Sequence, residues 1–214
     1  MKKKHAAGLA TGLLVLGSAL AAQAVLIEVV PNSYSFDKPA DVLTYDYTDH
    51  GGVQLTDGQY GTAPFWADLG NGPAYEWVGW WYDSPVNIDF DFGSAIEINQ
   101  INIGTVQDYT WDVVLPSVNL YSSSDGSTWT SFYNYYVPES PSNNNQYFTY
   151  ELGGFSVTAQ YFRVSLYYSY NGPWTFTDEI DFYQEATVAP EPATMLLFGT
   201  GLVGLVGTKR RIKK

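Results

Sequence analysis

Val86-Asn87-Ile88-Asp89-Phe90-Asp91-Phe92 alternates apolar and polar residues through seven positions, and no stretch between the two ends of the chain carries an apolar stripe at helical spacing. A period of two is that of a strand with one face in a core and the other in water. Gly93-Ser94 punctuates this strand, and Ile96, Ile98, Ile101 and Ile103 supply a second one. The shift in phase after Ile98 predicts a bulge or a short turn at Asn99-Gln100. Val118-Asn119-Leu120-Tyr121 reads as a strand running into Ser124-Asp125-Gly126-Ser127, an Asp-Gly hairpin signal, before Trp129 and Phe132. Residues 147–152 and 161–168 read as two strands separated by Gly153-Gly154, and Ile180-Asp181-Phe182-Tyr183 as the last. The pattern predicts an all-β body of about eight antiparallel strands.

Charge sharpens the reading. Of ten Lys and Arg residues, Lys2, Lys3, Lys4 and five in the last six positions lie at the ends, so residues 25–189 hold only Lys38 and Arg163. All 22 acidic residues except Glu191 fall in that body, which leaves 21 acids against 2 bases, a formal charge of −19. Nucleic acid and anionic lipid make poor partners for such a surface. Cysteine is absent, which excludes disulfides, thiol catalysis and thiolate metal sites. The 18 Tyr, 7 Trp and 11 Phe favour strands and supply stacking surfaces wherever they are exposed.

Both ends carry an address. Met1-Lys2-Lys3-Lys4, an apolar run over 6–20 and Ala22-Gln23-Ala24 have the three parts of a secretory signal, with cleavage by signal peptidase expected after Ala24. At the other end, Pro190-Glu191-Pro192 precedes an uncharged apolar stretch, 193–208, and the basic close Lys209-Arg210-Arg211-Ile212-Lys213-Lys214. Sixteen residues as a helix at ~1.5 Å each reach about 24 Å, a little short of a ~30 Å hydrocarbon core, and flanking bases that snorkel close the gap. The basic end should stay in the cytoplasm and everything before Pro190 outside. The run 190–202 with its basic close resembles the PEP-CTERM sorting signal of Gram-negative envelope proteins. That resemblance implies an exosortase-type membrane transpeptidase as partner, transient anchoring in the inner membrane, then release or transfer to the cell surface or extracellular matrix.

The body, 25–189, has a resemblance of its own. Leu55-Thr56-Asp57-Gly58 with Thr62 and Trp66, then Trp77, Asp89-Phe90-Asp91-Phe92-Gly93, residues 118–129, Tyr161-Phe162-Arg163-Val164 and Glu179-Ile180-Asp181-Phe182-Tyr183 follow one another in a familiar order. Over residues 55–183 the chain resembles the discoidin or coagulation-factor 5/8 type C domain, a galactose-binding-like jelly-roll β-sandwich that includes carbohydrate-binding modules. The terminal cysteines of many animal members are missing here.

Many domains of that kind hold a structural calcium near the Asp-Gly turn, and the resemblance places Asp57, Thr62 and Glu179 there, with Asp178 as a rival to Glu179. A turn supplies backbone oxygens to a cation that wants six to eight hard ligands. The ordinary alternative is that Asp57 caps a turn and Glu179 is solvated. Ligands in the resembled fold meet the loops at one end of the sandwich. Trp80, Trp81 and Tyr82 form one aromatic candidate, Tyr109 and Trp111 a second and Trp174 a third, with Asp83, Asp108 and Asp112 nearby in sequence; Trp77 reads as core. Aromatic faces stack on the C–H face of a pyranose while carboxylates accept its hydroxyls. Arg163 is expected to pair with a half-buried carboxylate.

Catalysis has weaker support. His50 is the only histidine of the body, and no Gly-x-Ser-x-Gly elbow accompanies it. Asp89/Asp91 and Asp178/Asp181 are carboxylate pairs of the kind glycoside hydrolysis uses, though Asp89 and Asp91 share a strand face where solvated charge is ordinary. The expectation is an exported, non-enzymatic surface or matrix protein that binds exopolysaccharide or other glycans. The rivals are an acidic adhesive matrix protein with no sugar pocket and, further off, a small hydrolase.

Overall fold

A computed structural model describes residues 25–40, 47–66, 76–137, 146–168 and 172–186. The signal segment, the motif Pro190-Glu191-Pro192 and the membrane stretch 193–208 lie outside the described residues, among which no helix is long and apolar enough to cross a membrane.

Eight strands are described: β1 Val25–Val29, β2 Ser33–Phe36, β3 Val78–Trp81, β4 Val86–Gln107, β5 Ser117–Ser123, β6 Thr130–Tyr135, β7 Gln146–Tyr167 and β8 Trp174–Ala186. Every pairing is antiparallel, in the order β1-β8-β4-β7-β5-β6, with β2 added on β4 and β3 on β8. The expected all-β, sandwich-like architecture is what forms.

The strands are divided differently from the sequence reading. Gly93-Ser94 does not end a strand: β4 runs through it for 22 residues, with a register shift against β7 between Asp91 and Ile96. Gly93 takes φ +74° there, and a Cβ would lie 2.3 Å from the Asn32 amide nitrogen, so the chain bulges on a residue that only glycine supplies without strain. A second shift lies between Ile98 and Gln100, where the phase change predicted it. Opposite that shift β7 passes straight through Gly153-Gly154, Gly154 at φ +85°, making one strand of the two read from sequence. These bulges let β4 serve two neighbourhoods. Its first half lies between β2 and β7, its second between β8 and β7.

The alternation Ile88, Phe90, Phe92 faces inward with Phe162, Val164 and Phe182, all buried. Phe90 and Phe182 meet edge to face at 4.8 Å, Phe92 and Phe182 at 5.1 Å. Each such ring withdraws enough apolar surface to contribute roughly 1.5–3 kcal/mol. A second cluster gathers Tyr47, Phe65, Trp77, Val106, Val113 and Phe176. The Asp-Gly signal is a hairpin between β5 and β6, as read. The Asp125 carboxylate accepts N–H bonds from Ser127 (2.8 Å) and Thr128 (2.7 Å), while Ser123 Oγ accepts from Asp125 and Gly126. The Thr128 and Ser127 N–H groups, with the Ser123 hydroxyl that donates to the same carboxylate, hold Asp125 ionised well below the usual carboxylate range.

Candidate ligand-binding site

Strand alternation separates two adjacent tryptophans. β3 pairs with the start of β8, Trp80 opposite Thr175 and Trp81 opposite Trp174. Trp80 turns inward, 0% exposed, edge-on to Phe36 at 5.5 Å, with its indole N–H donating to the Lys38 carbonyl at 3.2 Å. Its expected place in the ligand-binding loop is therefore corrected: the ring packs in the core and its polar atom is satisfied there. Trp77 is core as expected, its N–H donating to the Ala63 carbonyl.

Trp81 turns outward, 50% exposed, and stacks on Trp174 at 5.8 Å with the rings 12° from parallel. Tyr82, 65% exposed, lies 5.2 Å from Trp81; its φ of 58° is unusual for a bulky side chain, and its N–H donates to the Pro173 carbonyl at 3.0 Å. Trp174 is not in a loop, as the sequence reading had it, but is the first residue of β8, half-buried between Trp81 and Phe176.

The second candidate joins through β8. Asp108 caps a short 3-10 turn, Tyr109–Trp111, by accepting the Thr110 N–H at 2.9 Å, and Asp112 closes it in the left-handed region at φ 58°. Trp174 N–H then donates to the Asp112 carbonyl at 3.2 Å, and Val114 N–H to that of Trp174 at 3.1 Å. Trp111 is left 60% exposed and Tyr109 half-buried. Trp66 was not among the site residues read from sequence. It is exposed, T-shaped against Phe65, and 6.3 Å from Trp111. Nothing in its local sequence separates it from a core tryptophan; only the partner Trp111 does. Of the three nearby carboxylates, Asp83 lies 3.8 Å from the Lys38 amine and Asp108 is buried in its cap, whereas Asp112 is exposed. Aromatic faces held by backbone bonds, beside an exposed carboxylate, can take the apolar face and hydroxyls of a sugar ring.

A different region surrounds Glu179. Its Oε2 accepts the N–H groups of Gly58 (3.1 Å) and Gln59 (3.2 Å), and Asp178 accepts those of Gly61 (2.5 Å) and Glu179 itself (2.8 Å). Asp57 accepts the Gln59 N–H at 2.9 Å, as a turn cap does. The Tyr60 hydroxyl donates to Asp181, and Thr62 N–H donates to Glu76 at 2.8 Å. Burial pushes Asp178 up to about 7; burial together with the neighbouring charges of Asp181 and Asp57 pushes Glu179 up to about 9. Asp57 and Glu179 thus lie at one loop, and Asp178, the rival to Glu179, holds that loop as well. Their hard oxygens suit calcium in kind, and a bound cation would draw the Asp178 and Glu179 carboxyls into the ionised form. Among the described residues, however, no three Asp, Glu or His side chains converge at metal distance, so backbone oxygens would have to complete the shell.

The remaining candidates are structural. Arg163 grips Asp89 through Nε–Oδ1 at 2.5 Å and a second bond to Oδ2 at 2.8 Å, with its guanidinium carbon 4.1 Å from the centre of the Trp129 ring. The pairing is the one expected, and it makes Asp89 an ion-pair partner rather than a solvated charge. His50 donates its backbone N–H to Gln54 and its ring lies 3.4 Å from the Thr48 hydroxyl.

Residues 25–184 match the family described as "Discoidin domain-containing receptor 1/2, DS-like domain", and residues 188–211 match the "PEP-CTERM protein-sorting motif". No curated protein matches the chain in sequence. Among solved structures, a truncated AlyQ with CBM32 and alginate lyase domains is 16% identical, with 79% of this chain and 36% of that one covered and a TM-score of 0.48. The family 32 CBM of NanJ from C. perfringens, in complex with galactose, is 12% identical over 75% of this chain and 100% of that one, TM-score 0.47. CpGH89CBM32-5 from Clostridium perfringens, in complex with GalNAc-beta-1,3-galactose, is 12% identical over 71% of this chain and 94% of that one, TM-score 0.47.

Proposed function

The chain belongs to the discoidin DS-like domain family and ends in a PEP-CTERM sorting motif, and from that premise we propose an exported, non-catalytic module that binds a surface or matrix glycan. One observation carries the reading: Trp81, Tyr82 and Trp111 are exposed, with Trp174 half-covered beneath Trp81, on backbone fixed by bonds to Pro173 and Asp112. Large rings left in water and held still are costly unless something stacks on them. Exopolysaccharide is the natural ligand class, since a sugar ring meets both the apolar faces and the Asp112 carboxylate.

The sorting motif supports the route: signal peptidase releases the N-terminus, the tail anchors the chain in the inner membrane, and an exosortase-type transpeptidase processes it near Pro190-Glu191-Pro192. Intact mass of protein recovered from cells and medium tests this. A product ending near that motif supports it, and a full basic tail on all of the recovered protein removes it.

Calcium at Asp57 and Glu179, with a Thr62 oxygen, belongs to the same proposal. It would neutralise the acids around Glu179 and tie down the 57–62 loop. For the glycan, titration of the chain against neutral polysaccharides in saturating calcium should give binding that falls about tenfold in Trp81→Ala or Trp111→Ala. Binding by neither the wild type nor the variants would leave the acidic adhesive reading, which the body's charge of −19 favours.

A further inference from the structure

The outer face of the sheet holds a cleft remote from the aromatic end. Register places Ser33, Asp91 and Tyr161 in one row across β2, β4 and β7, and Ser35, Asp89 and Arg163 in the next. With period two, all six side chains point away from the core, where Tyr34, Phe90 and Phe162 point inward. The β5–β6 hairpin adds Gly126 and Trp129 beside these rows, and together they line an open cleft of about 290 Å³. That is near the lower end of the ~300–1,000 Å³ of small-molecule sites. It is far from Trp81: Tyr161 pairs with Ser123 at the hairpin end of the β5–β7 ladder, while Ser117 and Tyr167 pair at the end next to Val86.

The walls of the cleft are prepared rather than incidental. Asp89 receives one Arg163 bond on each oxygen, which fixes its orientation, cancels its charge and leaves a lone pair free on each. Asp91 receives the Gly93 N–H (2.7 Å) and the Gln160 amide (3.0 Å) on the same oxygen, Oδ1, with neither bond on Oδ2. Trp129 is braced over the Arg163 guanidinium. Two aromatic side chains, two serine hydroxyls and oriented carboxylate acceptors are the groups that take a ring bearing hydroxyl donors. The single negative charge left on Asp91, in a body of −19, repels a carboxylated sugar.

We propose that this cleft is a second saccharide site, for a pyranose without a carboxylate, which makes the module bivalent. Bivalency lets one module join two chains, or hold one chain at two points with an avidity neither site has alone. The cleft uses residues separate from the aromatic end and stands or falls apart from it, while bivalency rests on the glycan reading of that end.

The test is an NMR titration of the full chain, labelled at backbone amides and indole nitrogens, with methyl β-D-glucopyranoside, methyl β-D-galactopyranoside, N-acetylglucosamine and glucuronate. At least one of the first three should shift the Trp129 indole and the Gly126 and Tyr161 amides. Asp91→Asn should weaken that response about tenfold, and Trp129→Ala should abolish it, while Trp81→Ala leaves it unchanged. No shift at those probes with any of the four overturns the proposal, even if Trp81 and Trp174 respond. Shifts by glucuronate as large as those by the neutral sugars, or Asp91→Asn binding as wild type, also overturn it.

Discussion

The end that carries Trp81 and the loop that wraps Glu179 solve opposite problems. At the aromatic end, backbone bonds fix the chain and the rings are left to the solvent; around Glu179, carboxylate side chains accept N–H groups of the 57–62 loop and are buried in doing so. The contrast teaches where to look for binding in a sheet protein. Side chains that hold their own fold have little left to offer a ligand, whereas side chains held by other groups do.

Several experiments would break or sharpen that contrast. The largest effect is expected from Trp80→Ala, which empties a fully buried position and should cost about 3–5 kcal/mol in denaturant unfolding. Its neighbour Trp81→Ala should cost within about 1 kcal/mol, and comparable losses would mean that Trp81 is structural after all. Next comes pH. Native Asp178 titrates near 7, whereas in the unfolded chain it does so near ~3.9, so between those values the unfolded state releases a proton that the native state keeps. Stability should fall as pH climbs from about 4 to about 7, by up to about 4 kcal/mol from this group. Glu179 acts in the same direction up to about 9. Asp178→Asn should flatten the first part of the slope in melting curves, and an unchanged slope would remove Asp178 as its source.

Calcium would oppose this trend. Saturation at about a hundred times the dissociation constant should add ~2.7 kcal/mol above pH 7, and a melting temperature unmoved by chelator would count against Asp57 and Glu179 as ligands. The smallest effect is expected at the hairpin. Asp125 stays ionised below the ordinary range because N–H groups of the turn hold it, so its contribution has the opposite sign: present above about pH 4 and lost as the pH falls. Asp125→Ala should lower the melting temperature at neutral pH and make no further difference in strong acid.

How much of this was legible in the sequence depends on whether the signal was local. The 86–92 alternation, the phase shift at Asn99-Gln100 and the 124–127 hairpin are local, and all three appear as read. β1 was not legible because Val25, Leu26 and Ile27 are exposed on an edge strand, where nothing enforces alternation. Gly93 and Gly154 read as breaks because positive φ more often ends a strand than bends one. Trp80 and Trp81 are identical in composition and adjacent in sequence, and only the pairing with β8 decides which one meets water. Trp66 and Trp111 lie 45 positions apart and became a pair only in space.

The bond between Arg163 and Asp89 has a consequence for proteolysis. Lys38 precedes Pro39, a bond that trypsin-like proteases do not cut, so Arg163 is the one residue of the body after which they could, and it sits in the middle of β7, clamped by a carboxylate and covered by Trp129. Were the domain carried outside the cell as proposed, a trypsin-like protease would find almost nowhere in it to begin.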